Sequence, residues 1–163
     1  MASSTKQLKL FGVAAAAVTL AVLPADAQAQ TVVAFNGRVN ASCIMIVTTS
    51  GVLAMNTTGT EIGSELSGGG AAVLSVTTTG GRPTISFSAP SMTLKPATYT
   101  GTPTVSLTYV SPGGANQAYT TAASQYRSTN PSSDTVTLNA KAVDASAFTA
   151  GDYRLQTTAT CQQ

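Results

Sequence analysis

Val33-Ala34-Phe35-Asn36-Gly37-Arg38-Val39-Asn40-Ala41-Ser42-Cys43 places an apolar or small residue at every odd position. From Asn36 onward the even positions are polar. A period of two marks a strand with one buried face, because successive side chains of an extended chain point to opposite sides. An alternating segment near the start of a domain has two destinations. It can open its own sheet, or it can lodge in a neighbour's. The first is the primary expectation here, and the second makes Val33, Phe35 and Val39 the knobs of a donor strand.

The segment follows a pattern typical of a secretory leader. Lys6 and Lys9 supply a charged start, Leu10 to Leu23 an apolar core, and Ala25-Asp26-Ala27 or Ala27-Gln28-Ala29 a small-residue cleavage site. The apolar run of about 14 residues is shorter than the ~20 that a membrane-spanning helix requires. Residues 1–27 are therefore read as a signal peptide. Residues 28–163 are read as one exported domain with no membrane span, and residues 28–34 as a short donor extension.

Charge is sparse, with eight Lys and Arg against six Asp and Glu in 163 residues. The basic residues stand singly, which leaves no nucleic-acid footprint. Histidine is absent, which removes the commonest general base and metal ligand. Serines occur outside any Gly-x-Ser-x-Gly elbow, and Gly68-Gly69-Gly70 lacks the Gly-Lys-Ser/Thr of a phosphate loop. Glu61, Glu65, Asp134, Asp144 and Asp152 lie in loop-like stretches and read as solvated charges. No catalytic residue, cofactor or metal is expected, and enzyme activity is disfavoured. The two cysteines, Cys43 and Cys161, read as a disulfide in an exported chain, with free thiols or a bond between chains as alternatives.

Thr, Ser, Gly, Val and Ala dominate the mature sequence, and helical periodicity is missing from it. Short alternating runs recur between turn residues: Ala72, Leu74 and Val76; Ile85 and Phe87; Met92 and Leu94; Val105, Leu107 and Tyr109; Val136 and Leu138. Glu61 to Gly70 reads as a surface loop, and Ala115 to Ser133 as a long polar connection. The last run puts Tyr153, Leu155, Thr157, Ala159 and Cys161 on one parity, with Arg154, Gln156, Thr158 and Thr160 on the other. Seven to nine such strands predict an all-β, antiparallel sandwich.

Phe35-x-Gly37-x-Val39-x-x-Ser42-Cys43, followed by Gly51-Val52-Leu53, resembles the start of fimbrial subunits assembled by the chaperone–usher route. Ala150-Gly151-Asp152-Tyr153-x-Leu155 resembles the last strand of that family and of spore coat protein U-like and archaic-pilin domains. The resemblance implies an immunoglobulin-like sandwich lacking its final strand, whose open groove is filled first by a periplasmic chaperone and then by the next subunit. It implies a homopolymer of identical or related subunits, an outer-membrane usher, and a place at the cell surface. The ending Cys161-Gln162-Gln163 suits an incomplete sheet. Tyr153, Leu155 and Ala159 would face the groove. Two departures stand against this: few residues precede Phe35 after cleavage, and the family's usual disulfide joins its first two strands. The competing reading is a self-complete secreted sandwich that binds a glycan or surface protein through tyrosines around Ala115 to Tyr126.

Overall fold

The computed structural model describes residues 33–163, so the signal-peptide reading of residues 1–27 and the extension 28–32 lie outside the described residues. The chain divides into one unit ending at Asn36 and a second running from Gly37 to Gln163. Of the first, Val33 to Asn36 carry no regular structure and are exposed.

The second unit is all-β. Its strands are β1 (Ser42–Thr49), β2 (Ala54–Met55), β3 (Glu61–Gly63), β4 (Ala72–Thr79), β5 (Thr84–Phe87), β6 (Ser91–Leu94), β7 (Thr104–Val110), β8 (Asn116–Thr120), β9 (Ser124–Arg127), β10 (Ser133–Val143), β11 (Arg154–Gln156) and β12 (Ala159–Gln162). All the pairings between them are antiparallel.

β10 is the spine of a seven-stranded sheet. Its first half pairs with β4 and its last residues with β3, while β7 covers the opposite edge and carries β8. β1 lies outside β4, and β2 lies outside β3, so β1 and β2 together form one margin of this sheet. The remaining strands pair as β12-β5-β9 and β11-β6. Pro90, which has no N–H to give a ladder, falls between β5 and β6.

Alternation in the sequence becomes burial wherever a strand has neighbours. Leu74 and Val76 of β4, Ile85 and Phe87 of β5, Leu107 and Tyr109 of β7, and Val136 and Leu138 of β10 meet in one apolar cluster. The seven-stranded and three-stranded sheets thus share a core. A second, smaller cluster joins Ile62, Tyr99, Ala142 and Phe148, with Tyr99 and Phe148 stacked at 5.0 Å between ring centroids. Along the last run the burial alternates without a break from Tyr153 to Cys161.

Three expectations are corrected. The first strand begins at Ser42, not near Val33: Val33 to Ala41 form no strand and are exposed throughout. Glu61 to Gly70 opens with β3, and Ile62, Gly63 and Ser64 are buried there, because Ser64 Oγ donates to Asn139 Oδ1 at 2.9 Å and accepts from the Ala140 N–H at 3.0 Å. The stretch Ala115 to Ser133 holds β8, β9 and the start of β10.

Asp134 also departs from its reading as a solvated charge. It is buried in β10 and accepts hydrogen bonds from Ser111 Oγ, Tyr126 OH, Ser128 Oγ and the backbone N–H groups of Gly113 and Thr135, at 2.9–3.0 Å. A side chain at Gly113 would run into this carboxylate, which is why the turn Ser111-Pro112-Gly113-Gly114 needs glycine there.

Candidate functional site

Two of the bare strand margins of this fold face one another. β1 pairs with β4 alone and β2 with β3 alone, while β11 pairs with β6 alone and β12 with β5 alone. Among the described residues, the other edge of each has no partner strand. Unpaired edges present rows of free N–H and C=O groups that template the addition of another strand.

Between these two margins runs a groove of ≈ 850 Å³. One wall carries Val47, Val52, Leu53 and Met55, and the other carries Tyr153, Leu155, Thr157 and Ala159. Its floor is formed by buried members of both apolar clusters, among them Ile62, Leu74, Phe87 and Leu138. The apolar side chains left half-buried or exposed are those of the walls, among them Val47, Val52, Met55, Tyr153 and Leu155. The charged residues that reach it are Asp152 and Arg154.

At one end the two margins are joined. Cys43 of β1 and Cys161 of β12 form a disulfide with Cα atoms 6.2 Å apart, and Gln163 Nε2 donates to the Ser42 carbonyl at 2.7 Å. From this clasp β1 runs outward while β12 and β11 run inward, so the margins are antiparallel across the slot. The groove wall reaches Ala159 on one side and Val47 on the other and goes no further toward the cysteines.

Tyr153, Leu155 and Ala159 therefore stand together on one wall of the groove. Val33, Phe35 and Val39 are placed in no strand and are 70%, 93% and 79% exposed. What the sequence did not reveal is the opposite wall, made by Val52 to Met55 after β1. The only hint was a short apolar run between Gly51 and Asn56.

The base of the exposed segment is anchored at the clasp. Thr79 Oγ1 donates to the Asn40 carbonyl at 2.9 Å, beyond the Ser42–Thr79 pair. The groove is lined by the other end of β4, at Ala72 to Leu74.

The tyrosines near the competing ligand site spend their hydroxyls internally. Tyr119 OH donates to Glu65 Oε2 at 2.6 Å, Tyr126 OH to Asp134 at 2.9 Å and Tyr109 OH to Ser124 Oγ at 3.1 Å. Burial, with the bond to Glu65, pushes the Tyr119 hydroxyl above its usual pKa. Burial does the same for Tyr126, with the neighbouring Asp134 carboxylate adding to the rise and Ser111 opposing it. Tyr99 is raised by burial and by its 2.5 Å bond to Asp144, and that same bond holds the Asp144 carboxyl below the ordinary range.

No protein-family model, curated protein or solved structure matches the chain. Among the described residues no cluster of His, Cys, Asp or Glu is suited to a metal ion, and no helix is long and apolar enough to cross a membrane.

Proposed function

We propose that the chain is a structural, non-catalytic subunit of a surface pilus or coat, built by donor-strand exchange on an immunoglobulin-like sandwich that lacks one strand. The observation that carries this reading is the apolar groove flanked by two unpaired strand edges, in a chain whose own alternating segment is exposed and strandless. A strand laid in the groove gains backbone hydrogen bonds from both margins, and its alternate side chains enter the slot.

The dimensions agree. Tyr153 to Ala159 spans about seven residues, or roughly 20 Å at ~3.3 Å per residue. Val33 to Val39 spans the same length and offers side chains at the same period. Burying Val33, Phe35 and Val39 contributes about 6 kcal/mol at ~2 kcal/mol each, before any backbone hydrogen bond. The segment is rooted at the clasp and enters no strand of its own domain, and its acceptor in this reading is the groove of another subunit.

In this reading the arm is longer than the extension 28–34 read from the sequence, since the exposed, strandless segment continues through Ala41. An unfilled groove is an aggregation hazard, so the reading requires a periplasmic chaperone before assembly and an usher at the outer membrane. The disulfide suits an exported chain.

Expression of residues 28–163 in a bacterial periplasm tests the reading. The expected product is a set of multimers that survive SDS without heating and collapse to monomer on boiling, and Phe35→Glu abolishes the ladder. A soluble, heat-stable monomer obtained without any chaperone overturns the proposal.

A further inference from the structure

A strand inserted between two others must leave about 9.6 Å between its neighbours, twice the ~4.8 Å spacing of paired strands. At the clasp the flanking strands are only 6.2 Å apart, Cα to Cα, and covalently bound. No strand passes there. We infer that the Cys43–Cys161 bond is a fixed end stop for the groove, which sets both the direction and the register of the strand it accepts. This rests on the donor-strand reading above and adds a property to it.

Three observations converge on the stop. The groove lining ends at Ala159, one inward position before Cys161. Cys43 and Cys161 are half-buried against the main apolar cluster, so the clasp is packed in place and not a mobile tether. Gln163 bonded to the Ser42 carbonyl closes the backbone beside it.

Direction follows from the block. The body of the donating subunit lies beyond residue 41 of its arm and cannot sit past the clasp. It must lie off the open end, where Met55 and Tyr153 form the mouth. The arm then runs with its Val33 end toward the clasp and Val39 at the mouth, antiparallel to β11 and β12.

Register follows from counting. Four inward positions are available on the last strands, at Tyr153, Leu155, Thr157 and Ala159, and four inward positions lie on the arm, at Val33, Phe35, Gly37 and Val39. The arm fills the groove when Val33 meets the stop. Residues before Val33 find no slot.

Synthetic peptides test this on the chain 28–163 whose own arm is disabled by V33E, F35E and V39E. Peptide 33–41 is expected to bind about tenfold more tightly than 35–41, the value of one buried valine. Peptide 31–41 carrying Thr31→Val adds another apolar knob, yet is expected to stay within about twofold of 33–41, because the added knob meets the clasp. In the same chain carrying C43S and C161S the extension regains about tenfold. A photoreactive benzophenone replacing residue 33 of the peptide should label the intact chain near Ala159 or Val47, and one replacing residue 39 should label near Met55 or Tyr153.

A tenfold gain from 31–41 on the disulfide-bonded chain overturns the end stop, as does reversed labelling or labelling of Gln162. The labelling arm needs only the intact disulfide and decides the matter even where the serine variant does not fold. If no peptide binds at all, the donor-strand reading itself falls. That result is distinct from binding that ignores the clasp.

Discussion

Replacing Asp134 with alanine is expected to destabilise the domain by about 4 kcal/mol. Its carboxylate is the shared acceptor for five donors from three places in the chain: the β7–β8 turn at Ser111 and Gly113, the end of β9 with Tyr126 and Ser128, and β10 itself at Thr135. Removing the acceptor leaves the donors in unequal trouble. The Gly113 N–H is buried and fixed to the backbone, and Ser128 is fully buried, so neither recovers a bond with water. At ~1–3 kcal/mol for each orphaned buried donor, these two account for most of the cost. The partly exposed Tyr126 and Ser111 hydroxyls rotate toward solvent and add little. For a domain of roughly 130 residues, an unfolding entropy near 0.27 kcal/mol/K turns this into a fall in Tm of about 15 °C. Asp134→Asn keeps one acceptor oxygen but points an amide at donors, and should lose about half as much. Thermal melts followed by circular dichroism, checked by urea titration, measure both. A shift below about 3 °C for the alanine variant would show that the donors find other partners and would refute the reasoning.

Other outcomes follow from the same structure. Leu155→Asp puts a charge in the groove wall and should abolish SDS-resistant multimers while changing the monomer's Tm by only a few degrees, as read by unheated gels beside melts. Reduction of the Cys43–Cys161 bond, which spans 118 residues, should cost about 4.9 kcal/mol by loop-closure entropy, seen as a lower urea midpoint under dithiothreitol; an unchanged midpoint would refute the entropic estimate. The raised pKa values of Tyr99, Tyr119 and Tyr126 mean that the folded state holds protons which the unfolded chain releases above about pH 10. Stability from these groups is thus complete below pH 10 and declines above it, and phenolate absorbance should show Tyr99, Tyr119 and Tyr126 ionising at higher pH in the folded protein than in the unfolded chain. Asp144, held low, works in the opposite sense: its contribution is present above about pH 4 and is lost as pH falls.

Much of the strand pattern was legible because burial on one face writes a period of two into the chain. The last run, from Tyr153 to Cys161, alternates in the structure as it does in the sequence. The same code misled at Val33 to Ala41. Alternation records that a face is suited to burial, not which sheet will bury it, and among the described residues Val33 to Ala41 form no strand. Ala115 to Ser133 was opaque for the opposite reason. β8 and β9 are short strands at sheet margins, exposed on one side and rich in polar residues, so they carry little apolar period. Asp134 was misread because one carboxylate in a sequence looks the same whether water or five protein donors surround it. The groove had no local signature. It arises where two margins, about a hundred residues apart in the chain, both lack a neighbour.

The placement of the disulfide also determines how the domain carries mechanical load. Only Ser42 separates the end of the exposed segment from Cys43, so a pull on that segment reaches the sulfur bridge almost at once. Force then divides between β1, held along β4, and β12, held along β5. Peeling β1 away from its sheet would break one pair of hydrogen bonds after another at low force. The bridge instead makes both sheets resist together, and the ladders on either side are loaded in parallel. A chain of such units linked arm to groove would yield first at its noncovalent joints, with the folded bodies intact.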